Sequence, residues 1–264
     1  MSTLYLDRPS PLNRLNPITK LVGVVSIIIL VFALPYWWAP LAILVLIVVP
    51  AALLARVGGR LLLVGGAILV PLLLVVTIGQ GFFNARGETV LFSIGPFDFA
   101  LEGLLFAAAV GGRTAVLVTA AMLLLLTTHP GKLLTALSQN GMPPKIAYVI
   151  SSTLQMLPTF QTRADSILLA QRSRGLKTRG NPLRRLAVLV PLISPLVLGV
   201  FVDVDERSTA MEARAFGSTG KRTALEVLPD PVSEHIARWT VILIALGALV
   251  ASFMGVFPSV KWPL

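Results

Sequence analysis

Two short segments carry the side chains best suited to recognition: Ala170-Gln171-Arg172-Ser173-Arg174-Gly175 and Met211-Glu212-Ala213-Arg214-Ala215-Phe216-Gly217. Each places an arginine near the end of a helical pattern and follows it with a small residue. A guanidinium presents a planar fork of donors that fits carboxylates and backbone carbonyls. One such motif is an ordinary helix stop, because the cation complements the helix dipole and glycine takes the left-handed cap. Two in one chain point to a pair of grips on a partner. Residues 215–222, Ala-Phe-Gly-Ser-Thr-Gly-Lys-Arg, nearly spell a phosphate-binding loop. Ala215 replaces the first glycine and Arg222 the magnesium-binding hydroxyl, and no strand precedes the segment, so it reads as a turn. His129 and His235 stand alone, without carboxylates or a second histidine at ligand spacing, and no metal site is expected. No Ser-His-Asp, paired-carboxylate or H-E-x-x-H arrangement lies in any apolar span, so neither catalysis nor a cofactor is expected of this chain.

These groups sit in an apolar setting. The chain has 264 residues, 55% hydrophobic and only 13% charged, against about 25% charged in a soluble domain. Its mean hydropathy is +0.84. This composition places it in a lipid bilayer. The net charge of +10 would fit nucleic acid in a soluble protein. Here the cytoplasmic enrichment of Lys and Arg in membrane proteins accounts for it, and no nucleic-acid partner is expected. Cysteine is absent, which excludes disulfides and thiolate metal sites.

A spanning helix needs about 20 apolar residues. Five segments qualify: Pro17 to Leu34, Trp38 to Leu54, Leu61 to Ile78, about Leu101 to Leu126, and about Trp239 to Phe257. The first follows Arg8, Arg14 and Lys20 but leads into Pro35-Tyr36-Trp37-Trp38 with no small-residue cleavage site, so it reads as a retained helix with interfacial tryptophans. Arg56 and Arg60 lie between the second and third segments. Residues 129–238 carry fourteen Lys/Arg against eight Asp/Glu. One orientation puts every basic link inside: N-terminus in, tryptophan pair out, Arg56/Arg60 in, the Phe-rich segment 79–99 out as an ordered cap, and 129–238 in. Arg113 falls midway along the fourth segment, after Gly111-Gly112. A charge at membrane depth is a functional candidate by default. The small residues beside it equally favour close helix packing.

The basic segment reads as three helices. One follows His129-Pro130 and stops at Asn140-Gly141. One runs from Pro143-Pro144 to Gly175, a length of about 45 Å, with a kink expected at Pro158. One starts at Pro182 and ends near Ala215. Both long helices are too apolar for free solvent and are expected to lie along or dip into the cytoplasmic face. The alternative, Leu186 to Val202 as a sixth span, would strand the second arginine motif outside, against the charge rule. An offset of forty residues superposes Asp165 on Asp205, Ala170 on Ala210 and Arg174 on Arg214. The expected organisation is therefore an all-α integral membrane protein: four spans in residues 1–128, a cytosolic domain of long helices in 129–237, and a fifth span in 238–264.

The stretch from Arg163-Ala164-Asp165 to Gly175, with Val190-Pro191-Leu192 and Met211-Glu212-Ala213-Arg214, resembles the T component of energy-coupling factor (ECF) vitamin and metal transporters, a family that includes the CbiQ-type cobalt transporter subunits. Pro11 to Leu21 and Leu91 to Leu104 share the resemblance, which covers nearly the whole chain. The family signature is a pair of Ala-Arg-Gly-type triplets ending two long cytosolic coupling helices. Here the triplets are Ser173-Arg174-Gly175 and Ala213-Arg214-Ala215, supported by Asp165, Ala170, Arg172, Asp205, Ala210 and Glu212. The resemblance implies two ABC-type ATPase subunits docked on the arginines and a substrate-binding S component packed on the long helices. It also implies uptake of a vitamin or a cobalt- or nickel-like metal ion, and a multi-pass location in the cell membrane. A stand-alone secondary transporter or membrane enzyme is the competing class. It would need intramembrane acids or broken-helix ion sites, which the spans almost entirely lack.

Overall fold

A computed structural model describes residues 10–83, 89–94, 97–175, 182–216 and 227–256. All five apolar segments are helical. They are α2 (Pro17–Ala33), which follows the short α1 (Pro11–Arg14); α3 (Ala39–Ile43) with α4 (Val49–Leu54); α5 (Gly58–Arg60) with α6 (Gly66–Phe83); α7 (Leu101–Thr127); and α11 (Val232–Phe253). The segments Gly58–Gly81, Leu101–Thr127 and Val232–Phe253 are long and apolar enough to cross a membrane, and the helices Pro17–Ala33 and Ala39–Leu54 are shorter. In lipid every backbone polar group must bond within its own segment, which leaves the helix as the natural form of such runs.

The second segment stays continuous through Pro50 because a π-helical turn, Leu44–Val48, joins α3 to α4. Proline lacks an N–H and its ring collides with the carbonyl four residues back. The wider π turn just before it makes room for that ring. A second π turn, Leu61–Gly65, joins α5 to α6.

The helix α7 is central: 56% of its apolar window is buried, against 17% for Gly58–Gly81 and 11% for Val232–Phe253. Small residues make this possible. A Cβ added at Gly103 would come to 2.2 Å of the Gln80 carbonyl oxygen on α6, and one at Gly111 to 2.6 Å of Leu73 Cδ2. Large apolar side chains such as Leu46, Leu62, Leu63 and Val75 stay exposed and form the lipid-facing surface.

Polar groups join three helices at one end. The buried carboxylate of Glu234 on α11 accepts hydrogen bonds from the Asn16 N–H (2.9 Å) and the Thr19 hydroxyl (2.7 Å), at the start of α2. Lys20 donates to the Thr127 carbonyl that ends α7, at 2.9 Å. Just ahead of α11, Asp230 pairs with Arg238 and with His235, and the Arg238 guanidinium above all holds its carboxyl below the usual range.

Two features differ from the sequence reading. The helix α11 starts at Val232 rather than near Trp239, because Glu234 and Arg238 are buried and bonded and so do not exclude the helix. The segment between α6 and α7 contains an antiparallel pair, β1 (Val90–Ile94) and β2 (Phe97–Ala100), with a register irregularity between Val90 and Phe92. Thr89 anchors it by donating from its N–H and hydroxyl to Glu102. The fold is otherwise all-α among the described residues.

The chain divides into two compact units, Met1–Ala136 with Leu228–Leu264, and Leu137–Val227. The division falls within α8 (Pro130–Gln139), and the long helices of the second unit are α9 (Pro144–Ser173) and α10 (Pro182–Ala213). Gly141, at φ +98°, closes α8 where the sequence places its stop.

Replacing Gly103 with Ala is expected to lower stability by about 1–3 kcal/mol through the collision with Gln80. Gly79→Ala, where a Cβ meets nothing within 4 Å, is expected to be neutral or slightly stabilising. Thermal unfolding of both variants in detergent would test the close α6–α7 approach, and equal midpoints would contradict it.

Candidate functional site

Both arginine motifs end their helices in the same backbone geometry. Arg174 closes α9, its N–H donating to the Ala170 and Gln171 carbonyls at 3.2 Å. Gly175 follows at φ +89° and donates to the Arg172 carbonyl at 3.0 Å. Arg214 closes α10, its N–H donating to the Met211 carbonyl at 3.2 Å. Ala215 takes φ +54° and donates to the Glu212 carbonyl, and Phe216 donates back to Met211, each at 2.9 Å. The second end is a complete Schellman cap, and the first has the matching inner bond. Ser173, Arg174, Gly175, Ala213, Arg214 and Ala215 are all exposed, as are Asp165, Ala170, Arg172, Asp205, Ala210 and Glu212. Both guanidinium groups are thus held at exposed helix ends.

The two helices meet at an ion pair. Arg163 on α9 donates from Nη1 to Asp203 Oδ2 (2.9 Å) and from Nη2 to Oδ1 (3.1 Å), a bidentate pair. Gly199 leaves room for it, since a Cβ there would come to 2.7 Å of Nη1. Asp203 is held below the usual carboxylate range by this bond, and Arg163 is raised in turn. The partners lie 40 residues apart, the same offset that superposes the two motifs. At this crossing one position therefore meets its own counterpart, as at a local two-fold axis.

Two further contacts fix the direction. Arg207 donates to the Ser152 hydroxyl at 3.0 Å, and Tyr148 packs on Phe216 with ring centroids 5.0 Å apart. The start of α9 therefore lies beside the end of α10, and the helices run past one another in opposite senses. Arg174 lies eleven residues beyond Arg163, and Arg214 eleven beyond Asp203. At 1.5 Å per residue each arginine stands about 16 Å from the crossing, on opposite sides of it.

Arg113 belongs to the first unit, half-buried on α7 beside the buried Gly111 and Gly112. The near-phosphate-loop continues into residues 217–222, outside the described residues. The Arg163–Asp203 pair was not singled out from sequence as a contact, although the forty-residue offset contained the signal for it. Among the described residues no three His, Cys, Asp or Glu side chains come together as a metal site.

Two outcomes follow from this geometry. Because Asp203 titrates lower when folded than when unfolded, the pair stabilises fully above the ordinary carboxylate pKa. That stabilisation disappears as the pH falls through the lowered folded value. Asp203→Asn should lose this acid dependence, measured as the thermal midpoint against pH. At the caps, Ala215→Gly should relieve left-handed strain and stabilise by about 0.5–1 kcal/mol, whereas Gly175→Ala should cost about 1 kcal/mol. Denaturation in detergent reads both, and effects of the opposite sign would contradict the caps.

Comparison with known proteins identifies the family. The family model for CbiQ, described as cobalt transport protein, matches residues 8–225. The chain is 33% identical over 235 residues to the energy-coupling factor transporter transmembrane protein EcfT of Heliobacterium modesticaldum, covering 85% of this chain and 86% of that protein. It is 32% identical over 235 residues to EcfT of Brevibacillus brevis, covering 85% and 87%. Against EcfT of Thermosediminibacter oceani it is 27% identical over 259 residues, covering 95% and 97%. The apolar helices and these relationships agree: the chain belongs to the CbiQ family and is a membrane-embedded, transmembrane component of an ECF transporter.

Proposed function

We propose that this chain is the coupling subunit of an ECF-type importer, with Arg174 and Arg214 each docking on one of two cytosolic ABC-type ATPase subunits. Residues 129–237 form the cytoplasmic coupling domain, and residues 1–128 with 238–264 hold it in the membrane. The observation that carries this reading is the paired geometry: two exposed arginines in the same cap conformation, at equal distances from a shared crossing. That arrangement offers the same donor chemistry twice, as two like partners require. ATP hydrolysis is assigned in this reading to the partner subunits.

An S component is the partner proposed for the sides of the long helices. Ile146, Val149, Leu154 and Leu157 on α9, and Ile193, Leu198, Phe201 and Val202 on α10, are exposed and apolar. An exposed apolar surface of this extent marks a protein or membrane contact. The cargo is proposed to be a vitamin or a cobalt- or nickel-like metal ion, selected by the S component. Arg113 is proposed to serve helix packing, given its two glycine neighbours.

The double variant Arg174→Glu with Arg214→Glu should lose co-purification of both ATPases and reduce transport to background, while membrane insertion is unchanged. Each single variant should release one ATPase contact. Normal ATPase capture and uptake by the double variant would overturn the coupling assignment.

A further inference from the structure

The two arginine ends share a cap conformation but not its cost. At the first end the left-handed residue is Gly175, at φ +89°, which has no Cβ to collide with the backbone. At the second end it is Ala215, at φ +54°. A residue with a Cβ is strained there and stays only where its surroundings over-determine it. Two backbone bonds contribute, from Ala215 to Glu212 and from Phe216 to Met211, each 2.9 Å. Phe216 also occupies the position whose apolar side chain commonly backs such an end. Its ring packs on the half-buried Tyr148 in the early turns of α9, with centroids 5.0 Å apart and planes tilted by 55°. Aromatic pairs favour such spacings and offset or tilted geometries. On the reading that Arg174 and Arg214 each dock an ATPase, we infer that Tyr148 and Phe216 form a latch that positions Arg214. The second grip then depends on the packing of α9 against the end of α10, whereas the first is set by its own glycine.

The amino-acid sequence equips one end alone with this ring pair. The forty-residue offset that superposes Arg174 on Arg214 puts Leu176 opposite Phe216 and Val188 opposite Tyr148, and neither carries a ring. The Arg207–Ser152 bond lies nearer the crossing. It continues to join α9 to α10 when the rings part, so the latch can open without separating the helices. Arg214 immediately precedes Ala215, so a backbone change at Ala215 unwinds the last turn and re-aims the guanidinium. Contact between Tyr148 and Phe216 and docking at Arg214 are therefore linked. Moving the start of α9 away from the end of α10 loosens the second grip. By reciprocity, a partner bound to Arg214 strengthens the ring contact.

Amide hydrogen exchange and ATPase capture, both on the full chain in detergent, test the latch. Tyr148→Ala should raise exchange at the Ala215 and Phe216 amides by about twofold to tenfold, the range of one aromatic pair. Tyr148→Phe should stay close to wild type. Ala215→Gly, which removes the strain, should offset the loss in the Tyr148→Ala chain. With Arg174→Glu, which leaves Arg214 as the working grip, Tyr148→Ala should weaken capture of the ATPase subunits by a similar factor. Tyr148→Phe in its place, or added Ala215→Gly, should restore capture. With Arg214→Glu, Tyr148→Ala should leave capture unchanged, a distinction that a merely structural role would not make. Unchanged exchange in Tyr148→Ala, or equal losses of capture in both backgrounds, would overturn the latch. Normal capture by the Arg174→Glu, Arg214→Glu chain would overturn the docking reading instead, and the exchange result would still decide the latch.

Discussion

One carboxylate and one ammonium hold the membrane unit together where lipid gives least help. Between helices in a bilayer there is no hydrophobic drive, because lipid tails are as apolar as leucine side chains. Association must come from close packing and from polar bonds at the ends. Glu234 bonds the first turn of α2 from α11, and Lys20 reaches from α2 to the end of α7. The carboxylate also sits at the positive end of the α2 dipole, where negative charge is favoured. At the other end of α7, Gly103 brings its first turn into backbone contact with Gln80 near the end of α6, and further along Gly111 admits the Leu73 side chain.

The second unit is built differently. The helix α9 has no buried side chain. What joins α9 and α10 among the described residues is the bidentate Arg163–Asp203 pair, the Arg207–Ser152 bond and the Tyr148–Phe216 ring contact. A long helix with its apolar side unpaired is not a stable solitary object in water. The exposed apolar side chains on both helices therefore define the unit as one designed to be covered.

The elements were legible because their signals are local. Apolar runs, Pro130, Pro144 and Pro182 at helix starts, and Gly141 and Gly175 at helix ends all act over one turn. The arginine ends were legible for the same reason, since a cation followed by a small residue is a cap wherever it occurs. The start of α11 was not, because hydropathy counts Glu234 and Arg238 as charges and cannot see that each is bonded. The strand pair 90–94 and 97–100 was hidden by its aromatic content, which fits an interfacial cap equally well. The meeting of Arg163 with Asp203 lay in the forty-residue offset. Reading it required the direction of both helices, which only the three-dimensional contacts supply.

The opposed run of α9 and α10 has a mechanical consequence. Their arginine-bearing ends lie on either side of one crossing, at equal arms of eleven residues. Equal loads applied to the two ends in opposite directions form a couple, which produces torque about the Arg163–Asp203 pivot and no net translation. Equal loads in the same direction translate the pair and produce no torque. A device with this geometry distinguishes twisting from pushing, and its response is set by the relative phase of the two loads rather than by the size of either one.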